Sequence, residues 1–448
     1  MGQRARILAQ VAGFRGWKVA DARWEDQDGC VFVPNPHFVP PSDAILVLTM
    51  KRQWASRCSR CLTVVPASRR HERGTRRRWR DLPWAGRSVV LEYAPDRLDC
   101  PQCGSHAVEL VAWADPRQRQ TRRQQHHLAL DASSMPLSHV ATKYGLSWGT
   151  IRRAEAAAIR RWDRERPQKD LTRVGVDEKW LGRRHKLAHK FVTIVSDLDT
   201  GEPVWIGYGR DSSTLAAWFA TLTPEQKAKI VLFAVDMHAP YVKAIREHPP
   251  LAHVAIVHDP FHVMKRAGEA ISELRRSIFF RAGERMRAVG RGARWLVLTA
   301  YSRLGEEKRE QLRLLFSYNT KLARAYWAIE QLRQALKAED ESSLADGLMG
   351  VLRRINKRAN VPMRKLHDAL VDRVDQLLAL AHHRPPTGRI EALNGNWEAL
   401  VRRGRGYRDH AYLLHKLRFM TANPVREQRG ILRFLALGLT PPVYAKAS

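Results

Sequence analysis

Three acidic side chains stand at the ends of apolar runs in a chain that is otherwise strongly basic. Asp177 closes Val174-Gly175-Val176, and Asp236 closes Ile230-Val231-Leu232-Phe233-Ala234-Val235. Glu391 lies far downstream in Gly388-Arg389-Ile390-Glu391-Ala392-Leu393-Asn394, ahead of Arg402, Arg403, Arg405 and Arg408. Hard divalent cations take oxygen ligands, and Mg²⁺ is held by a few carboxylates plus substrate phosphate oxygens. Carboxylates at strand ends, in a chain drawn to phosphate, therefore predict a two-metal phosphoryl-transfer site. Two neighbours compete for the role. Glu178 adjoins Asp177, although period-2 alternation along the strand favours Asp177. Glu398 follows Glu391 by two helical turns and shares its face. Asp236 also suits the start of a helix near Ala239, a role compatible with holding a cation.

The charge supports a polyanionic partner. With 77 Lys and Arg against 45 Asp and Glu, the 448-residue chain carries a formal charge of +32. Nucleic acid is the natural partner for such a surplus, although a genome rich in arginine codons gives the same bias. A hydrophobic fraction of 44% indicates a globular chain of about two to four domains. No apolar run approaches the roughly 20 residues of a membrane span, and Met1-Gly2-Gln3-Arg4-Ala5-Arg6 has no signal-peptide pattern, so a cytoplasmic, nucleoid-associated protein without a membrane partner is expected.

The elements that must position these groups begin with a region of short strands and turns containing all five cysteines. Cys58-Ser59-Arg60-Cys61 and Cys100-Pro101-Gln102-Cys103 are C-x-x-C knuckles able to share one tetrahedral Zn²⁺. A pair of disulfides is the rival in principle and is disfavoured in the cytosol. Cys30 is left over and is expected to pack as a small apolar residue. The run Arg69–Arg80, with Arg76, Arg77 and Arg78 at its centre, is either a solvated face or a phosphate contact.

Residues 133–166 read as a helix-turn-helix: Leu137–Tyr144, the turn Gly145-Leu146-Ser147, then a second helix from Trp148. Ser147 suits the N-cap, and Ser147, Gly149, Thr150, Arg152 and Arg153 would face a DNA groove. An ordinary helical hairpin is the plainer reading. From residue 173 strand-like runs follow at 174–177, 190–197 and 203–208, then a helix, a strand at 229–236, a helix, and a strand at 254–258. Three meandering strands followed by strand-helix-strand crossovers is the element order of a ribonuclease-H-like fold. Adjacent, parallel first and fourth strands would bring Asp177 beside Asp236. The chain is then helical to about residue 384, and Pro385-Pro386-Thr387-Gly388 precedes Glu391.

Taken in order, these motifs resemble the DDE transposases of the zinc-ribbon insertion-sequence family ISL3. The resemblance runs from the knuckles, with Arg80-Asp81-Leu82-Pro83 between them, to Val176-Asp177-Glu178 and Val235-Asp236-Met237 with Tyr241. It continues through His258-Asp259-Pro260-Phe261-His262-Val263 to Ile390-Glu391-Ala392-Leu393-Asn394 and Gly406-Tyr407-Arg408. Ala392 in place of Gly is a small departure. The fold class expected is α+β multidomain: a zinc-ribbon-containing domain (1–130), a helix-turn-helix domain (131–168), a ribonuclease-H-like catalytic domain with a mixed sheet (172–262 and 386–425) and a helical insertion (263–385). The resemblance implies a bacterial transposase that binds terminal inverted repeats and target DNA, and cuts and joins strands as a homodimer or larger assembly. Asp177, Asp236 and Glu391 would hold two Mg²⁺ or Mn²⁺ ions, with Cys58, Cys61, Cys100 and Cys103 on structural Zn²⁺. His262 would orient a phosphate or water, a packing histidine being the alternative. Arg402, Arg403, Arg405 and Arg408 would follow the DNA backbone. The alternative from another class is a sequence-specific DNA-binding regulator that has lost catalysis.

Overall fold

Alternating apolar residues build the first sheet. In the computed structural model, the residues described are 13–14, 16–33, 37–166, 170–180, 190–280, 283–355, 360–386, 388–404, 407 and 409–423. Strand β1 (Trp17–Glu25) pairs antiparallel with β2 (Ile45–Arg52). The short β3 (Ser56–Arg57) and β4 (Val64–Val65) follow, then β5 (Arg70–Arg73), β6 (Arg77–Trp84), β7 (Arg87–Tyr93), β8 (Asp96–Asp99) and β9 (His106–Val108). One sheet has the order β1-β2-β7-β6 and another the order β5-β8-β9. Side chains two apart on a strand share a face, so Trp17 and Val19, Leu46 and Leu48, and Leu91 and Tyr93 gather around the buried Trp113. Trp17 and Trp79 meet that indole edge-on at 4.7 and 5.6 Å between ring centroids. Cys30, expected to pack as an apolar residue, is instead exposed.

Three helices complete this region: α1 (Arg122–Ser134), α2 (Leu137–Tyr144) and α3 (Trp148–Glu165). Helix α1 begins inside the stretch read from sequence as strands and turns. Its buried face carries Arg122, Gln124, Gln125 and His126 beside Leu128, Ala129 and Ala132, so no apolar periodicity announces it. Gln125 and His126 find a partner on α3, and Arg122 pairs with Asp115 at 3.3 Å. Arg161 of α3 reaches Asp115 at 2.5 Å, Gln125 at 3.0 Å and His126 at 3.0 Å.

The second half is organised by a five-stranded sheet. Its strands are β10 (Arg173–Trp180), β11 (Phe191–Asp197), β12 (Pro203–Tyr208), β13 (Leu232–Val235) and β14 (Ala255–His258), in the order β12-β11-β10-β13-β14. The first three meander antiparallel, and β10, β13 and β14 run parallel. Between and after them lie α4 (Ser212–Phe219), α5 (Pro224–Ala228), α6 (Ala239–Arg246) and α7 (Pro260–Phe279). The two faces of the sheet are distinguished by alternation. Phe233, Val235 and Ile256 join Leu215, Phe219, Tyr241 and Ile245 of α4 and α6. Leu232, Ala234 and Val257 join Val263, Ala267 and Ile271 of α7.

That second face continues into a helical region, α8 to α14: Glu284–Gly292, Arg294–Leu298, Glu306–Tyr318, Thr320–Ala335, Glu341–Arg354, Val361–Val371 and Val374–Leu378. Helices α15 (Gly388–Gly404) and α16 (His410–Ala422) close the described chain. None of the described helices is long and apolar enough to cross a membrane. Contacts divide the chain into Met1–Pro167 with Ala399–Ser448, and Gln168–Glu398. The sequence reading instead runs one domain through 386–425, whereas this division falls within α15.

The first turn of α15 is seated on the sheet. A Cβ built on Gly175 would stand 2.7 Å from Ser196 Oγ, 2.8 Å from Leu198 Cδ2 and 3.2 Å from Ile390 Cδ1. Arg389 Nη1 also donates to the Leu198 carbonyl at 2.9 Å. Gly175→Val should therefore lower the urea midpoint at unchanged denaturant slope, by about 1–3 kcal/mol as for other overpacked sites. An unaltered midpoint would show that Ile390 does not pack there.

Candidate active site, metal centre and nucleic-acid interface

Strand register brings the first two carboxylates together. Val176 and Val235 are partners in the parallel ladder between β10 and β13, and the next residues are Asp177, still within β10, and Asp236, just past the end of β13. Parallel neighbours lie about 4.8 Å apart, and alternation turns both residues away from the Val176 and Val235 face. They share the face of Gly175, where Ile390 packs, and of α7.

Asp177 is buried. Its Oδ1 accepts the Glu178 N–H at 2.8 Å and lies 3.8 Å from His262 Nε2. Its Oδ2 has Lys179 Nζ at 2.9 Å as an ion pair outside hydrogen-bond geometry, and so has no hydrogen-bond donor among the described residues. Asp236 Oδ1 accepts from the His238 N–H at 3.0 Å, in the turn that leads into α6. Burial lifts the Asp236 carboxyl to about 6, and the charges of Asp177 and Glu178 add to the effect against the opposing His262 and His238. A bound cation would relieve the cost of ionising Asp236 in this position.

His262 sits in the first turn of α7. Asp259 caps that turn, accepting the Phe261 N–H at 3.0 Å, and its other oxygen lies 3.1 Å from His262 Nδ1. Burial works against a charged imidazole here, but the Asp259 hydrogen bond and the Asp177, Asp259 and Asp236 charges outweigh it and raise the pKa. His258 lies beneath the pair, its Nδ1 3.0 Å from the Asp236 carbonyl oxygen, and burial holds its pKa down at about 4. Glu178, the rival to Asp177, faces Arg210 at 3.3 Å instead. Sequence reasoning missed Lys179 and the orienting part of Asp259. Alternation could have found the first, which shares the face of Asp177, and the Asp-Pro helix start the second.

Glu391 belongs to the first turn of α15, directly after the Ile390 that packs on Gly175. It is exposed, as is Glu398. Asp177, Asp236 and Glu391 do not all converge to within 4.8 Å, a closeness that the described residues reach only in two other groups.

One of those groups is the cysteine cage. Cys58, Cys61, Cys100 and Cys103 place their sulfurs within 4.8 Å of one another, with Cys61–Cys100 at 3.4 Å and Cys58–Cys103 at 3.8 Å. A tetrahedral Zn²⁺ with bonds of about 2.3 Å requires sulfur separations of about 3.8 Å, so the four residues fit zinc. The two knuckles are built alike. Leu62 N–H returns to the Cys58 carbonyl at 3.0 Å and Gly104 N–H to the Cys100 carbonyl at 3.0 Å. Both are left-handed, at φ +67° and +64°. Glycine takes this conformation freely, but Leu62 does so only under constraint. Ser105 holds the Cys103 thiol down at about 6, whereas burial pushes Cys100 up to about 11. The long separation of the knuckles is explained by β6 and β7, which leave the cage to form half of another sheet.

The helix-turn-helix elements agree closely with the sequence reading. Gly145 terminates α2 at φ +58°, and the Ser147 side chain caps α3 by accepting the Thr150 N–H at 3.2 Å. Val140, Ala141, Ile151 and Ala154 pack with Leu128 and Ala132 of α1, making a three-helix core. Gly149 and Thr150 are half-buried and Arg153 is exposed. Arg152 pairs with Asp409 at 3.0 Å and covers the Tyr412 ring at 4.9 Å. Arg78 is held by Glu25 at 2.8 Å and Glu92 at 3.0 Å, and Arg76 by Glu92 at 3.1 Å, while Arg77 is half-buried at the start of β6. Arg403 donates to the Ser133 carbonyl at 2.8 Å, and Arg402 is exposed. Arg405 and Arg408 lie outside the described residues.

Comparison with known proteins agrees with this organisation. Residues 174–417 match the transposase model of the ISL3 family, and residues 109–158 match the helix-turn-helix domain of the same transposase family. The chain is 27% identical over 416 residues to the transposase for insertion sequence element IS1001 of Bordetella parapertussis, covering 92% of this chain and 97% of that one. It is also 27% identical over 374 residues to the transposase for IS1557 of Mycobacterium tuberculosis, covering 75% and 80%. These relatives do not favour the reading as a regulator without catalysis. Since the transposase model alone spans more than half of the chain, and the helix-turn-helix model precedes it in the same order, the protein belongs to the ISL3 family of transposases.

Proposed function

We propose that the five-stranded sheet is a ribonuclease-H-like core in which Asp177, Asp236 and Glu391 form the catalytic carboxylate set of a DNA-cutting and DNA-joining enzyme. The observation that carries this reading is the pairing of Val176 with Val235, which sets the buried Asp177 and the half-buried Asp236 side by side on one face of the sheet. Three antiparallel strands followed by two parallel ones in the order β12-β11-β10-β13-β14 support the fold assignment. The position of Glu391 immediately after Ile390, against Gly175, supports its place as the third ligand over Glu398.

Mg²⁺ or Mn²⁺, two per site, would supply Lewis-acid stabilisation of the attacking and leaving oxygens of a phosphodiester. The chain's own residues do the rest. The buried Asp177 within β10 and the half-buried Asp236 just past the end of β13 offer oxygens on neighbouring strands, and Lys179 occupies one of these positions with its ammonium. His262, oriented by Asp259 and biased toward its charged form, presents Nε2 toward the same region and can hold a phosphate oxygen or a water. Cleavage and joining are then one in-line displacement, with water as nucleophile first and a DNA 3′-hydroxyl later. The reaction needs no covalent link between protein and DNA.

The helix-turn-helix would read the terminal inverted repeats, with α3 as recognition helix and Arg153 as a backbone contact. Zinc in the cysteine cage would lock the N-terminal module. Joining two transposon ends requires at least two copies of the chain on DNA.

Three measurements test this reading. Asp236→Ala should lower divalent-dependent nicking of a terminal-repeat duplex by at least about 10³-fold, beyond the 10–100-fold typical of losing an outer-shell partner. Specific binding of that duplex should survive, and loss of binding and cleavage together would count against a catalytic role. Arg153→Ala should weaken binding across DNA sequences and reduce the salt slope by about 1, as expected for a single phosphate contact. Cys58→Ser with Cys61→Ser should lower the zinc content by one ion per chain and lower the melting temperature, and unchanged zinc content would refute the cage.

A further inference from the structure

The other convergent group lies on the sheet β5-β8-β9, outside the sites assigned above. Asp99 and His106 are register partners across β8 and β9, and His71 lies on β5, the strand on the other side of β8. His106 Nδ1 is 2.6 Å from Asp99 Oδ1, and His71 Nε2 hydrogen-bonds to Asp99 Oδ2. The imidazole rings are 5.5 Å apart between centroids, and one ligand atom from each residue lies within 4.8 Å of the other two. Both imidazoles are about half exposed, at 52%, and Asp99 is 39% exposed.

A network that served only to hold three strands together gains most where water is excluded. These donors instead converge at an open surface, where water competes for each hydrogen bond. Two imidazole nitrogens and a carboxylate are the donor set that borderline divalent ions such as Zn²⁺ select, and three protein ligands with an open position suit a tetrahedral ion. Strand geometry separates this group from the cysteine cage. Asp99 is immediately followed by the buried Cys100, and successive residues leaving a strand face opposite ways.

We propose that His71, Asp99 and His106 form a second divalent-cation site, on the outer face of the β5-β8-β9 sheet. It takes Zn²⁺ or Co²⁺ through two imidazoles and one carboxylate and leaves coordination positions open to solvent. The site depends neither on the catalytic reading nor on the occupancy of the cysteine cage.

The test uses the full-length chain, stripped of metal and reloaded with Zn²⁺ or Co²⁺ alone. Wild type should retain one more ion per chain than His71→Gln/His106→Gln, counted by elemental analysis after dialysis. With Co²⁺, the double variant should lose only the visible ligand-field component contributed by the imidazole-carboxylate site, while keeping the visible bands and the near-ultraviolet thiolate-to-cobalt band of the cysteine cage, which report an intact module. Asp99→Asn, which preserves shape, should reproduce the loss. Equal stoichiometry and identical cobalt spectra in wild type and the double variant would overturn the proposal.

Discussion

The structure turns on one hydrogen-bonded register, the parallel pairing of β10 with β13. Because Val176 faces Val235, the residues that follow them, one within β10 and one just past the end of β13, stand side by side, and both are carboxylates. Loss of water around Asp236, with the neighbouring Asp177 and Glu178 charges adding to it, raises the Asp236 pKa. The surroundings answer with positive charge: Lys179 beside Asp177, and His262 pinned by Asp259 at the start of α7. Gly175 completes the arrangement by leaving room for Ile390, which carries the Glu391 turn onto the same face of the sheet.

The positive surplus of the chain divides into two populations. Many arginines are structural. Arg23 and Arg78 bind Glu25 and Glu92, while Arg161 and Arg122 converge on Asp115. Lys416 and Tyr412 of α16 both bond to the fully buried Glu155 of α3. Removing one member of such a buried set leaves an uncompensated charge, so these groups maintain the fold whatever else they do. Arg153 is exposed at the start of α3 on a helix that is capped and packed from behind, whereas its neighbour Arg152 is paired with Asp409. Net charge therefore indicates a polyanionic partner without locating its surface.

The N-terminal module shows how a separated pair of knuckles can close one cage. Cys58 and Cys100 each begin the same turn, with the fourth residue on in a left-handed conformation. The polypeptide between them is long because it contributes β6 and β7 to the sheet around Trp113. Tolerating Leu62 where glycine would be easier indicates that the cage geometry outweighs local backbone preference.

Much of the fold was legible because local rules operate there. Alternation and apolar runs predicted the strands of the five-stranded sheet, and Ser147 and Gly145 marked the helix boundaries at which the structure places them. The C-x-x-C spacing announced the cage. Helix α1 was illegible because its buried face is polar, satisfied by partners such as Arg161 and Asp115 that no local pattern reveals. The fate of Arg76 and Arg78 was equally hidden, since their glutamates arrive from other strands. The sequence by itself determined which residue types could serve chemistry and, wherever the buried face is apolar, which segments would be strands or helices, because those follow from period and composition. Only the tertiary structure decided that Asp177 and Asp236 are neighbours, that Glu178 turns to Arg210, and that His71, Asp99 and His106 meet. Side chains distant along the chain become partners only when strand register, which is a property of the whole sheet, places them on one face.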